Sequence, residues 1–259
     1  MADLIFSWSP WCLPVLMLVI LAMAIELPYQ FWRPLKASAH TDAFNALQAG
    51  LLTLASFVLG LSFAQASSRF DARRELVVKE ANAIGTTWLR ADQLPPARAA
   101  AFRQILTAYT AIRLKAYETP RSPALYRQAI DQSDDDQSQL WSLASSALRE
   151  RPNDLGLSLL METLNDTIDV SAEQLQALTT HVPTAVVELT LVLVILGALS
   201  LGLRFAIDKA RPAALSAIYV VACVVVISMM VDYDRPQTGF VKVNLSPIRV
   251  QLQSMQKSP

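Results

Sequence analysis

The sequence predicts an all-α membrane protein: four transmembrane helices in two pairs, with an inserted antiparallel helical bundle continuous with transmembrane helices two and three. Three observations carry this. Residues 4–25, 43–68 and 212–231 contain no Asp, Glu, Lys or Arg, and residues 182–203 contain only Glu188. Each run has about the 20 residues a helix needs to cross a bilayer. Charge is concentrated between the pairs: of 22 Lys+Arg and 22 Asp+Glu, 13 and 15 fall within residues 69–181. Within that block the apolar residues recur at helical spacing between proline breaks. The expected domains are residues 1–66 (helices one and two), 67–182 (the extramembrane bundle), 183–231 (helices three and four) and 232–259 (a short tail).

The first run lacks a basic leader and a small-residue cleavage pattern, so it reads as a spanning helix over residues 8–27. Pro28, Trp32 and Pro34 mark its exit, followed by Arg33 and Lys36, and Trp8, Trp11 and Trp32 suit the membrane interface. Helix two starts at Asp42 as N-cap. Residues 67–92 hold no proline and one glycine, Gly85, so the helix is expected to run on for about 50 residues, well past the membrane. Its projecting part carries a seam of Phe70, Val77, Ala81, Ile84, Trp88 and Ala91, interrupted by Arg74.

Pro95 and Pro96 break the chain before a helix with Phe102, Ile105, Tyr109, Ile112 and Ala116 on one side. Pro120 and Pro123 precede a third helix over 124–150, ended by Pro152 and Asn153. The fourth starts near Asp154 and aligns Leu157, Leu160, Leu164, Ile168, Leu175 and Leu178 before passing through Pro183 into the membrane. A bundle is the simplest closure for four amphipathic helices whose first and last enter the bilayer. Residues 204–211 form a basic loop between the last two spans. The tail is expected to be irregular, with a brief strand at 240–243 and one or two helical turns from Ser246.

The zero net charge gives no pull towards nucleic acid. Cys12 and Cys223 both lie in apolar runs and offer neither a disulfide framework nor metal spacing. His40 and His181 have no ligand partner at useful spacing. Phosphate-binding loops, dinucleotide fingerprints and nucleophile elbows are absent, so the reading is not an enzyme and no cofactor is expected. Asp134, Asp135 and Asp136 lack the alternation of a calcium loop and read as a solvated face. Asp154, Glu162, Asp166, Asp169 and Glu173 form an acidic face, either solvated, paired with the basic start of the first bundle helix, or an ion-attracting vestibule.

The candidate pore or ion-path residues are Glu26, Gln48, Ser56, Gln65 and Glu188. Ionisable groups near hydrocarbon mark ion paths, although snorkelling at a boundary removes their cost. Gln48, Ser56, Ser62 and Gln65 serve equally well in interhelical hydrogen bonds, and Gly50, Gly60, Gly197 and Gly202 permit close helix approach. Cations flanking the spans number five on the loop side and six opposite. The tie is broken by the uncharged N-terminal flank of helix one and by the indifference of long loops to charge. Both termini and the helical domain are thereby expected outside the cytoplasm.

Two segments carry a family resemblance. The first is Ser68-Arg69-Phe70-Asp71, then Arg73-Arg74, Val77, Glu80-Ala81-Asn82-Ala83-Ile84-Gly85 and Leu89-Arg90-Ala91. The second is Asp232-Tyr233-Asp234-Arg235-Pro236, then Gly239-Phe240-Val241-Lys242-Val243 and Ser246-Pro247. With the two-plus-two layout, these resemble the bacterial bestrophin-like domain family, whose label points to the bestrophins, pentameric anion channels. No segment aligns with a bestrophin pore neck or calcium clasp, so no pore residue is transferred. The resemblance implies a multi-pass inner-membrane protein, a homo-oligomer among membrane lipids, acting as an ion channel or conductance regulator on inorganic ions. The alternative is a sensor or scaffold whose bundle binds a ligand or partner without transport. Arg74, Glu80, Asn82, Asp234, Arg235 and Pro236 occupy motif positions with a structural role expected. Glu80 would pair with Arg73 or Arg74 along the helix, and Asp234-Arg235-Pro236 would turn the chain at the exit of helix four.

Overall fold

The structure, a computed structural model, describes residues 11–32, 41–118, 123–235 and 239–257. In chain order its helices are α1 (Cys12–Trp32), α2 (Thr41–Arg90), a 3-10 turn (Ala91–Gln93), α3 (Pro96–Glu118), α4 (Pro123–Glu150), α5 (Leu155–Thr179), α6 (Thr184–Asp208), α7 (Ala213–Tyr233) and α8 (Ser246–Lys257). No strand occurs among the described residues. The chain divides into two compact units, Met1–Arg69 with His181–Arg235 and Phe70–Thr180 with Pro236–Pro259.

The first unit holds α1, the N-terminal part of α2, α6 and α7, and among the described residues four helices are long and apolar enough to cross a membrane. Along α1 the buried side chains are Leu13, Met17, Leu21, Ala24, Ile25, Pro28 and Tyr29, one stripe at spacings of three and four. They pack with Val194 and Ala198 of α6 and with Val224, Ile227 and Met230 of α7. The opposite faces are just as apolar yet bare: Phe57 is 62% exposed, Val192 53%, Leu215 62% and Ile218 65%. Helices apolar all round with greasy outer faces are built for a lipid surround.

Two glycines set the spacing. A Cβ at Gly202 would lie 2.2 Å from the carbonyl oxygen of Ile25, so α6 meets α1 backbone to backbone. At Gly197 it would lie 2.7 Å from the Tyr219 hydroxyl and 3.1 Å from Leu52 Cδ2, where α7 and α2 converge on α6. Gly50 and Gly60 face open space.

Several boundaries differ from the sequence reading. Helix α1 does not end at Leu27. It carries Pro28 internally and continues to Trp32, because packing against neighbouring helices sustains a span that has lost one backbone bond. Trp8, Arg33, Pro34, Lys36 and His40 lie outside the described residues. Helix α2 starts at Thr41, so Asp42 sits in its first turn, where a carboxylate favours the helix dipole. The passage from α5 to α6 is interrupted. Thr180 is extended, and a new helix begins only at Thr184, as the bias against α geometry before Pro183 requires. The basic loop is shorter than residues 204–211, since α6 runs to Asp208 and closes on Lys209 at φ 50°, with Arg204 bound to Asp208 at 2.8 Å. Cys12 is exposed, and only Cys223 is buried.

The second unit is a bundle of the C-terminal part of α2 with α3, α4, α5 and α8. Phe102, Leu106 and Tyr109 of α3 meet Leu140 and Ala144 of α4 and Leu157, Leu160 and Leu164 of α5. Asp154 caps α5, accepting the Leu157 N–H at 3.1 Å. Residues 240–243 form no strand. The tail instead builds the 12-residue helix α8, which inserts Met255 into this core and Ile248 into a second one with Val77, Ala81, Leu114 and Tyr117.

Candidate functional site

Among the polar positions of the spanning helices, Glu26 is committed to partners. Its Oε2 accepts from Arg211 Nη2 at 2.7 Å and its Oε1 from Gln30 Nε2 at 2.9 Å. The Arg211 guanidinium also lies over the Tyr29 ring, 5.9 Å from its centroid. This ion pair sits at one end of a cavity of about 320 Å³ lined by α1, α6 and α7. Gln48 is buried on α2. Ser56 and Gln65 are exposed on the same helix, and Ser56 Oγ donates to the Leu52 carbonyl at 2.8 Å. Glu188 is exposed on α6. No hydrogen bond or ion pair joins these five candidates to one another. Interhelical bonds fall elsewhere: Ser62 and Thr190 meet hydroxyl to hydroxyl at 2.9 Å, buried between α2 and α6, and the Tyr219 hydroxyl of α7 donates to the Val194 carbonyl of α6 at 3.0 Å.

The exposed surface of α2 has a pattern of its own. Ala49, Thr53, Ser56, Gly60, Ala64 and Ser68 recur at spacings of three and four and are all exposed. Only 17% of the apolar window of α2 is buried, against 33–39% in the other spans. The most polar stretch of spanning helix is thus the one with fewest partners in its own chain.

In the bundle, the motif residue Glu80 occupies the centre of a buried network. It is fully buried, and its Oε1 accepts from Arg113 Nε at 2.7 Å, a pair with side chains 0% and 4% exposed. Its Oε2 accepts from the Tyr117 hydroxyl at 2.8 Å, while Arg113 Nη2 donates to that same hydroxyl. Burial alone would lower the Arg113 pKa, but the Glu80 carboxylate outweighs it and holds the guanidinium charged. Burial, reinforced by Glu80, pushes the Tyr117 hydroxyl well above the usual phenol range. Two turns before Tyr117, Tyr109 is also pushed up, chiefly by burial, and accepts from Gln137, which in turn donates to Ser171.

This corrects the expected pairing of Glu80 with Arg73 or Arg74. Seven residues separate Arg73 from Glu80, about 10 Å along a helix and two turns apart, beyond the reach of neighbouring side chains. Arg73 is buried and donates instead to the Ala177 and Thr180 carbonyls at 2.9 and 2.8 Å, satisfying the orphan acceptors at the end of α5. Arg74 is exposed and lies 3.4 Å from Asp71. Asn82 is exposed. Part of the acidic face is paired, with Lys79 3.4 Å from Glu173.

The second motif closes the first unit. Asp234 is 2% exposed, and its Oδ2 accepts the Val182 N–H at 3.0 Å and faces His181 Nδ1 at 3.4 Å. Arg235 is also buried, and its N–H bonds the Asp232 carbonyl at 3.0 Å, turning the chain after α7. Pro236 lies outside the described residues. No group of His, Cys, Asp and Glu suited to a metal occurs among the described residues.

The partners of Glu80 had a readable signal. Arg113 and Tyr117 continue the register of Phe102, Leu106 and Tyr109, and Glu80 falls beside the Val77, Ala81 and Ile84 stripe. Opposite charges on two apolar faces must meet or be neutralised. His181 carried no such signal, since Asp234 is 53 residues away.

Comparison with known proteins finds a likeness of fold over most of the chain. The chain is similar to crystal structures of a bacterial bestrophin homologue from Klebsiella pneumoniae. For one variant the identity is 19% and the TM-score 0.70, covering 95% of this chain and 98% of that one. For another they are 18% and 0.71, covering 97% and 100%. The form phased on zinc gives 20% and 0.67, covering 95% of each chain. Among curated proteins, none matches. The family model of the Bestrophin-like domain matches residues 16–248, and the chain belongs to that family.

Proposed function

We propose that this chain assembles with copies of itself in the membrane into an oligomeric ion channel whose path is lined by the exposed face of α2. The observation that carries this reading is the bare stripe of Thr53, Ser56, Gly60 and Ala64 on the least buried span. Hydroxyl side chains facing lipid gain nothing, whereas around a shared axis those of Thr53 and Ser56 replace part of an ion's hydration shell and the small Gly60 and Ala64 leave room for it. Ser56 and Gln65 are then path residues, while Glu26 and Gln48 leave the path because one is ion-paired and the other buried. The family resemblance, through the bestrophins, makes chloride the first ion to test.

Native mass spectrometry of the detergent-solubilised protein should show an oligomer. Reconstituted liposomes should pass chloride or a monovalent cation faster than protein-free ones, and Ser56→Trp should cut that flux about tenfold with the oligomer intact. A monomer, or no flux at any pH and calcium concentration tested, overturns the proposal. A stable partner protein without flux favours the sensor reading instead.

A further inference from the structure

The groove beside Glu26 and Arg211 has a built polarity that conduction does not use. Its cavity, about 320 Å³, is open on one side and lined along α1 by Leu18, Ala22 and Tyr29 and along α7 by Ser216 and Val221. The lining changes character along its length. From Tyr29 back to Leu18 on α1 is about 16 Å at 1.5 Å per residue. Charged and hydroxyl groups crowd one end and only aliphatic side chains line the other. The aliphatic end offers water no hydrogen-bond partner, and in a bilayer the material at hand is an acyl chain.

The polar end is more specific than a basic patch. It presents one cation and one anion side by side, Arg211 and Glu26, 2.7 Å apart with side chains 61% and 32% exposed. Exposed pairs of this kind contribute little stability and exchange readily for a better-matched ligand. A purely anionic headgroup would meet the Glu26 carboxylate. A quaternary ammonium has no N–H to offer it. A primary ammonium carries three donors, and a phosphate suits the Arg211 fork. We propose that this groove is a binding site for a phospholipid with a primary-amine, ethanolamine-type headgroup, its phosphate on Arg211, its ammonium on Glu26 and one acyl chain along Leu18, Ala22 and Val221. The site needs the chain to span a membrane but not to conduct, so its fate is separate from that of the channel reading.

The test is lipid retention by the full-length, detergent-purified protein, read by native mass spectrometry. Phosphatidylethanolamine, its N-methyl and N,N-dimethyl derivatives, phosphatidylcholine and phosphatidylglycerol are offered with identical acyl chains. Retention should fall stepwise as N–H donors are replaced by methyl groups, by about fivefold across the series, with phosphatidylglycerol no better than the choline lipid. This arm needs no altered protein, so it cannot be confounded by misfolding. Glu26→Gln should abolish the preference for ethanolamine, Arg211→Gln should lower retention of every phospholipid, and Ala217→Trp should fill the groove and do the same with the ion pair kept. Equal retention of all headgroups, preference for phosphatidylglycerol, or an unchanged ethanolamine preference in Glu26→Gln overturns the proposal.

Discussion

Glu80 shows how much one side chain can depend on its surroundings. Its carboxylate is fully buried, with Arg113 as counter-ion and the Tyr117 hydroxyl as a second donor. Glu80→Ala leaves a guanidinium buried without its counter-ion and should cost about 3–5 kcal/mol, seen as a lowered thermal midpoint. Glu80→Leu combined with Arg113→Met should recover most of that loss, since replacing both partners by apolar groups of similar volume is often neutral. The two tyrosines add a pH signature. Their folded pKa values lie above the unfolded one, so their contribution is complete below about pH 10 and fades as pH rises beyond it. In a spectrophotometric titration, Tyr109 and Tyr117 should ionise only as the bundle unfolds. The sequence showed that Glu80 sits in a motif and that Arg113 continues an apolar face. It did not show that the two meet, because their separation of 33 residues is bridged only by the packing of α3 on α2.

At the scale of elements, legibility followed the solvent. Apolar runs and helical spacing located each helix, because burial in lipid or in a bundle core imposes its period on the side chains. The ends were less readable. Pro28 looked like a terminus but is an internal residue of α1, and residues 240–243 looked like a strand while α8 beyond them was underestimated. Both errors came from local propensity overridden by packing that only the folded chain supplies. The glycines divide by the same criterion. Gly202→Ala places a methyl group against the Ile25 carbonyl and should cost about 1–3 kcal/mol through forced separation of α1 and α6. Gly50→Ala, with open space before it, should leave the thermal midpoint in detergent unchanged or slightly raised.

For the whole molecule, the exposed residues are as informative as the buried ones. Phe57, Val192, Leu215 and Ile218 would be an aggregation hazard in water and are unremarkable in hydrocarbon. The flanking cations predict that the bundle and both termini lie outside the cytoplasm. A C-terminal alkaline phosphatase fusion, active only outside the cytoplasm, should be active, and a green fluorescent protein fusion at the same place should be dark. The reverse pattern would mean that cations near Arg69 and Arg73 outweigh the flanks of α1.

The bond between Asp234 and the Val182 amide has a topological result. Residues 182 and 234 are 52 positions apart in the chain yet joined across 3.0 Å. The intervening hairpin therefore departs and returns through a single knot, like a loop of thread drawn tight at its base. Whole turns added to or removed from α6 and α7 together would change how far that loop reaches and leave its point of attachment where it is.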